Sequence, residues 1–345
     1  MAYRIGVIPG DGIGPEVCKE ALKVLGAVAS SCKIKYEIIE YPFGGEYYLS
    51  KKEVLPEGII EELKGLSAIF LGAIGHPDVP PGILEKGLLL KIRFGLDQYI
   101  NLRPVKLYQG VNTPLKDKEP KDIDFVVVRE NTECVYAGMG GVLRDEVAIE
   151  NMVYTRKGIE RCIRYAYNLS RIRRKKLTLV DKSNVLVFGH GLWKKIFKEI
   201  GGEFPDVERD HAYIDAMCMW MIKNPEWFDT VVTCNLFGDI ITDLGAIIQG
   251  GMGVAAGGNI NPDGVSMFEP IHGSAPKYAK RSIANPIAAI LAMGMLLENL
   301  NEIEAAKRIE NAVALVLASG KIKDMSAGKM GLSTSEIGDL ISEAI

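Results

Sequence analysis

Residues 3–17 read YRIGVIPGDGIGPEV. Tyr3–Ile8 is a short apolar run, Pro9 and the glycines interrupt it, and Pro15 suits the first turn of a helix. The segment therefore predicts a strand, a tight loop and a helix over Gly14–Ala29. A glycine loop that opens a helix is one way to hold a phosphate. Gly10, Gly12 and Gly14 give G-x-G-x-G, however, which is not the dinucleotide fingerprint, and no acidic ribose partner stands at the expected distance. A tight turn beside a cleft accounts for the glycines equally well. The rhythm repeats downstream, with Ile34–Ile39 as strand, Pro56–Leu63 as helix and Ala68–Ala73 as strand. Such alternation makes a parallel α/β layer.

Beyond Asn101 the strands come closer together (Phe125–Arg129, Leu177–Val180, Thr230–Thr233), with helices over Gly158–Ser170 and Gly191–Ile200, as in a second α/β unit. Tyr136–Thr155 is glycine-rich, then β-branched, without helical period, and reads as an extended arm of the kind that reaches a partner subunit. The glycine cluster after Gly250 suits a hinge or crossover, and the rest returns to helix-rich α/β. A length of 345 residues suggests two domains, and 48% hydrophobic with 25% charged residues is the composition of a soluble globule. No apolar run is long enough to span a membrane, and MAYRIGVIPG lacks a signal-peptide pattern, so the expected location is the cytoplasm. Six cysteines without C-x-x-C spacing argue for reduced thiols, and the four histidines show no ligand spacing. A net charge of −3 gives no support for a nucleic-acid partner, and the basic run Arg171–Lys176 reads as a solvated helix end.

Three aspartates carry the strongest chemical signal: Asp215 in AYIDAMCMW, and Asp239 and Asp243 in CNLFGDIITDLGA. On a helix, Asp239 and Asp243 share one face a turn apart. A solvated face is the ordinary role of such a pair, but Leu236, Phe237, Ile240, Ile241 and Leu244 leave little room for one. Two acids on an apolar surface repel unless a cation sits between them, which favours Mg2+ or Mn2+. Arg93, Arg103 and Arg129 each stand at the edge of an apolar run. If they converge they would hold a di- or tricarboxylic acid; taken singly, each is an ordinary surface ion-pair residue. Lys182, directly after a buried strand, is a candidate base, and Tyr136 is a candidate proton donor with core packing as its alternative. HGSAPKYA at 272–279 could bring backbone near an adenosine and Lys277 near a phosphate.

Taken in order, IPGDGIGPEV, INLRPVK, VVVRENTE, VDKSNVL, YIDAM, NLFGDIITD, FEPIHGSAP and the terminal SEIGD resemble the β-decarboxylating dehydrogenases of the isocitrate and 3-isopropylmalate dehydrogenase family over essentially the whole chain. The resemblance implies a three-layer αβα fold without the standard dinucleotide fingerprint. Its first domain would be 1–100 with 250–345, and its second 101–249, with an arm at about 136–157 and the dimer interface. It further implies substrate binding by Arg93, Arg103 and Arg129, catalysis by Tyr136, Lys182 and Asp215, and metal binding by Asp215, Asp239 and Asp243. His272, Gly273, Ser274, Ala275, Pro276, Lys277, Tyr278 and Asn285 would contact the cofactor. Lys182 and Asp215 would reach the site from the second protomer of a homodimer. The implied reaction oxidises a 2-hydroxy acid and releases the carboxylate on the neighbouring carbon.

Isocitrate-specific relatives place serine and asparagine on the helix before the first arginine, whereas this chain has Leu89 and Leu90, with Val185 after Ser183-Asn184. An apolar pocket disfavours a carboxylate by several kcal/mol and gains about 1.5–3 kcal/mol on burying a branched alkyl group. That points to 3-isopropylmalate and leucine biosynthesis, with D-malate or tartrate, homoisocitrate and NADP-dependent isocitrate oxidation as alternatives. NAD is the expected cofactor, although Lys277-Tyr278 resembles NADP-using relatives. A non-catalytic regulatory subunit is the reading from another class, and the presence of every implied catalytic position argues against it. Cys134 stands where relatives commonly have glycine, and the sequence offers no reason for it.

Overall fold

The computed structural model describes residues 2–345 and divides into two compact units. The first runs to Gln98 and adds Tyr108–Pro114 and Gln249–Ile345; the second comprises Tyr99–Leu107 and Leu115–Ile248. Tyr108–Pro114 lies with the first unit, not with the second as the boundary at residue 101 would have it. The cause is a close backbone approach, since a Cβ on Gly110, at φ +88°, would lie 2.2 Å from the Leu317 carbonyl oxygen.

In the first unit the strands run in the order Tyr36–Glu40, Tyr3–Gly10, Ala68–Ala73, Met267–Pro270, Ala256–Ile260. The first three junctions are parallel and the last is antiparallel. A short turn joins Ile260 to Met267, and so short a connection permits only the antiparallel pairing. Helices Gly14–Cys32, Ile287–Asn299, Ile303–Ala318 and Thr334–Glu343 pack together and against these strands. Ile287–Asn299 shows no clear amphipathic pattern because it is almost wholly buried, with Ile290, Met293 and Leu297 fully inaccessible. A second apolar cluster joins Ile8, Ile69 and Leu71 to Leu55, Leu63, Leu88 and Ile92.

The second unit orders its strands Ile100–Lys106, Asp124–Glu130, Thr230–Thr233, Lys176–Asp181, Glu208–Tyr213, the first pair antiparallel and the others parallel. Helices Arg156–Ile172 and Gly189–Gly201 pack as one pair, Ile214–Lys223 and Asn235–Ile248 as another. Thr155 caps the first of these by accepting the Gly158 N–H. Gly140–Leu143 and Val147–Glu150 form an antiparallel hairpin exposed throughout, inside the stretch read as an arm. The basic run is not a free solvated end: Arg171 pairs with Asp206 at 2.8 Å, and Arg173 with Asp124 at 2.8 Å and Asp229 at 2.9 Å. Among the described residues no helix is long and apolar enough to cross a membrane.

Candidate active site

In the second unit, strand Asp124–Glu130 delivers Arg129, and its antiparallel neighbour sets Asn101 opposite Arg129 and Arg103 opposite Val127. Helix Asn235–Ile248 starts just after strand Thr230–Thr233 and passes so close that a Cβ on Gly238 would lie 2.5 Å from Arg129 Cγ. Arg129 Nε donates to Asn235 Oδ1 at 2.8 Å, and its terminal nitrogen pairs with Asp239. Tyr136 Oη donates to the other Asp239 oxygen at 2.7 Å, and the Arg129 guanidinium lies 5.3 Å from the Tyr136 ring centre. Arg103 Nε donates to Asn101 Oδ1 at 2.7 Å. Arg103 and Arg129 are buried, at 7% and 2% exposure, so the ordinary surface role does not apply to them.

Burial alone would raise the Asp239 carboxyl, but Arg129, Tyr136 and Arg103 together hold it below the usual carboxylate range. Asp243, one turn on, is pushed up by burial and by the Asp239 charge. One helix face thus presents an ionised carboxylate beside a second that ionises reluctantly, an arrangement that a divalent cation bound to both would relieve. This donor chemistry fits Mg2+ or Mn2+. Asp215 does not join the pair: its exposed carboxylate is bound to Lys182 Nζ at 2.6 Å, which lowers its pKa. No group of three His, Cys, Asp or Glu side chains is placed to hold a metal among the described residues, so one chain assembles two of the three aspartates.

Lys182 is the first residue past strand Lys176–Asp181, and its ammonium also lies 5.7 Å from the Tyr213 ring centre. Val185 is 65% exposed, so within one chain it lines no apolar pocket.

In the first unit, Arg93 donates to Glu269 at 3.2 Å, and Asn259 donates to the same oxygen at 2.7 Å. Both members of that ion pair are buried, again unlike a surface arginine. Glu85–Leu90 is a turn of π-helix running into the helix Lys91–Gly95 that carries Arg93, a feature frequent at functional sites. Leu88 is fully buried and Leu89 packs on the same core, so Leu89 is at least partly structural; Leu90, half-buried, is not part of that cluster. A cleft of about 330 Å3 is lined by Gly75, His76, Val79, Leu84, Glu85 and Pro276 among others, joining the start of the π-helical turn to the 272–279 loop.

That loop is anchored by the glycines of the opening segment. Ile13 N–H donates to the Ser274 carbonyl at 2.9 Å, and a Cβ on Gly12, at φ +59°, would lie 2.0 Å from the same oxygen. Gly12 therefore serves a close backbone approach. Asp11, which sequence reasoning passed over, is buried and accepts the Gly45 N–H at 2.7 Å and the Gly75 N–H at 2.9 Å, fixing the loop after strand Ala68–Ala73. Desolvation pushes the His272 imidazole below its ordinary range, and its Nδ1 lies 3.1 Å from the Gly273 carbonyl. Ala275 takes a left-handed conformation, after which Pro276–Tyr278 forms a short turn with Lys277 exposed, its ammonium 4.7 Å from the Tyr278 ring centre. Asn285 is buried and structural in its contacts, donating to the Met325 carbonyl at 3.1 Å and accepting the Ile287 N–H at 3.0 Å.

Cys134 acquires a physical account. Its backbone sits at φ +68°, ψ −146°, a region in which glycine is unstrained, which explains why glycine suits this position. The thiol is fully buried and lies 3.3 Å from Tyr154 Oη, and the neighbouring Cys234 holds it below the ordinary thiol range despite burial. Two residues later the chain delivers Tyr136.

The sequence profile described as isocitrate/isopropylmalate dehydrogenase matches residues 4–341. The chain is 51% identical to the 3-isopropylmalate dehydrogenase of Nocardia farcinica, across 99% of this chain and 100% of that one. It is 49% identical to the 3-isopropylmalate dehydrogenase of Thermobifida fusca, across 99% and 97%. Among solved structures, the isocitrate dehydrogenase of Methylococcus capsulatus is similar at a TM-score of 0.89 and 37% identity, across 99% of both chains.

Proposed function

The chain belongs to the isocitrate/isopropylmalate dehydrogenase family, and from that premise we propose that it is a homodimeric, cytoplasmic enzyme that oxidatively decarboxylates 3-isopropylmalate with NAD in leucine biosynthesis. The observation that carries the choice of substrate is the identity of about half the residues, over the full length, to relatives named for that activity, against 37% to the isocitrate enzyme.

In this reading Arg93, Arg103 and Arg129 serve to hold the substrate's carboxylates. Asp239 and Asp243, with Asp215 of the partner subunit, would hold a divalent cation that would supply Lewis acidity, and bound NAD would supply the hydride acceptor. Lys182, acting as the free amine, takes the hydroxyl proton and becomes the ammonium as the 2-hydroxy carbon is oxidised. Carbon dioxide leaves the adjacent carbon, and the electron pair it leaves behind is protonated from Tyr136. Burial and the Asp239 carboxylate raise the Tyr136 pKa, which keeps it in the protonated form that a donor requires. The exposed apolar side chains of Val185, Val187, Phe188, Met219 and Ile222 support a dimer that covers them.

Leu90 and Lys277 test the specificity half of this reading. Leu90→Ser is expected to lower kcat/KM for 3-isopropylmalate about tenfold or more and to leave malate within about twofold, because only the former fills an apolar pocket. Equal losses on both substrates would assign Leu90 to the core, as with Leu89. Lys277→Asp is expected to shift the NADP/NAD preference toward NAD about tenfold, roughly 1.4 kcal/mol, since a carboxylate repels a 2′-phosphate and accepts from ribose hydroxyls. Unmoved KM values for both cofactors would remove the loop from the adenosine site.

A further inference from the structure

Strand Lys176–Asp181 ends one residue before Lys182, so the Lys182 N–H has no place in the sheet ladder. A partly buried amide outside the ladder needs a partner, and this one finds it eight residues on. Lys182 N–H donates to Nδ1 of His190 at 3.0 Å, and the Lys182 carbonyl accepts from Val185 at 3.0 Å and Leu186 at 2.8 Å. His190 is fully buried in the first turn of helix Gly189–Gly201, its own N–H bonded to the Leu186 carbonyl at 3.0 Å. Because Nδ1 accepts, the neutral ring carries its proton on Nε2, which lies 3.0 Å from Tyr154 Oη. Tyr154 Oη in turn lies 3.3 Å from the Cys134 sulfur. The ring is clamped edge-on by Tyr154, with centroids 5.3 Å apart, and by Phe237 at 5.0 Å. One imidazole thus joins the backbone of the lysine to the loop that leads into Tyr136.

We infer that His190 is a positioning residue: by accepting the Lys182 N–H while Tyr154 and Cys134 fix its other edge, it sets the direction in which the Lys182 side chain leaves the strand and keeps the acid and base segments of each chain in fixed relation. The inference rests on Lys182 acting as the base. Lys182 carries its ammonium on a long flexible stem, so a small backbone rotation displaces the nitrogen by a large fraction of an ångström, and misplacement by about 1 Å can reduce turnover on the order of a hundredfold. The network also accounts for a cysteine in a glycine-like conformation, because only a side chain reaching inward completes the chain of contacts to Tyr154.

Two substitutions separate positioning from packing. His190→Phe keeps a buried ring and loses the acceptor, whereas His190→Asn places Oδ1 where Nδ1 stood and restores it. The inference expects His190→Phe to lower kcat about tenfold or more with KM for the hydroxy acid within about twofold, and to speed hydrogen exchange at the Lys182 amide. It expects His190→Asn to recover most of kcat and the amide protection together. If His190→Phe does not fold, Tyr154→Phe, which removes the Nε2 partner, should lower kcat at unchanged KM. Full kcat in His190→Phe or in Tyr154→Phe, or no recovery in a folded His190→Asn, would overturn the inference. A wild-type enzyme inactive on every 2-hydroxy acid would instead refute the functional reading on which it rests.

Discussion

Replacing Lys182 with methionine is expected to lower kcat by about three orders of magnitude while leaving the fold intact. A positioned general base contributes roughly 10²–10⁴ in rate, and methionine keeps the stem without the ammonium. The fold should survive because the Lys182 partner, Asp215, is exposed, and exposed ion pairs add little stability. In the proposed dimer the loss falls on both sites. Thermal melting alongside steady-state rates checks the two halves of the expectation, and retention of more than about a tenth of wild-type kcat would remove Lys182 from the proton path.

Asp239→Asn should have an effect of similar size for a different reason. Asp239 is the carboxylate to which Arg129 and Tyr136 are both bound, and it is the ionised member of the aspartate pair. The amide keeps the shape and one acceptor oxygen but removes the charge that a hard cation requires. Turnover is expected to fall by about two orders of magnitude or more, and the Mg2+ or Mn2+ concentration needed for half-maximal rate to rise at least about tenfold. Asp243→Asn should act in the same direction. Full activity after EDTA treatment of the wild-type protein would contradict the metal assignment outright.

How much of this was legible in the sequence varies with the range of the interaction. The strand over Ala68–Ala73 and the opening strand–loop–helix lie within a few residues of the reading, because apolar runs and glycine punctuation are local signals. The helix from Gly14 runs on to Cys32 and stops where Lys33 turns left-handed, and the second strand starts later than Ile34 for the same reason. The aspartates of NLFGDIITD were visible as a pair because a helix fixes their spacing. The attachment of Asp215 to Lys182, 33 positions away, has no local signature. Burial of Arg93, Arg103 and Arg129 was illegible for a similar reason: an arginine beside an apolar run is as consistent with a sheet edge as with an interior pairing. Leu88, Leu89 and Leu90 look alike in sequence, and only packing separates a core residue from a half-buried one. The antiparallel strands Ile100–Lys106 and Ala256–Ile260 interrupt an otherwise parallel rhythm through connections without an α-helix, whose direction composition does not reveal. His190 offered no pattern at all, since its partner is a backbone amide.

The most direct test is the steady-state rate of the purified protein, with Mg2+ or Mn2+ present, on 3-isopropylmalate, isocitrate, homoisocitrate, D-malate and tartrate, each with NAD and with NADP. The account predicts the highest kcat/KM for 3-isopropylmalate with NAD, at least about tenfold above isocitrate with either cofactor, because an apolar pocket gains on the isopropyl group and loses on a carboxylate. A higher kcat/KM for isocitrate with NADP would contradict it.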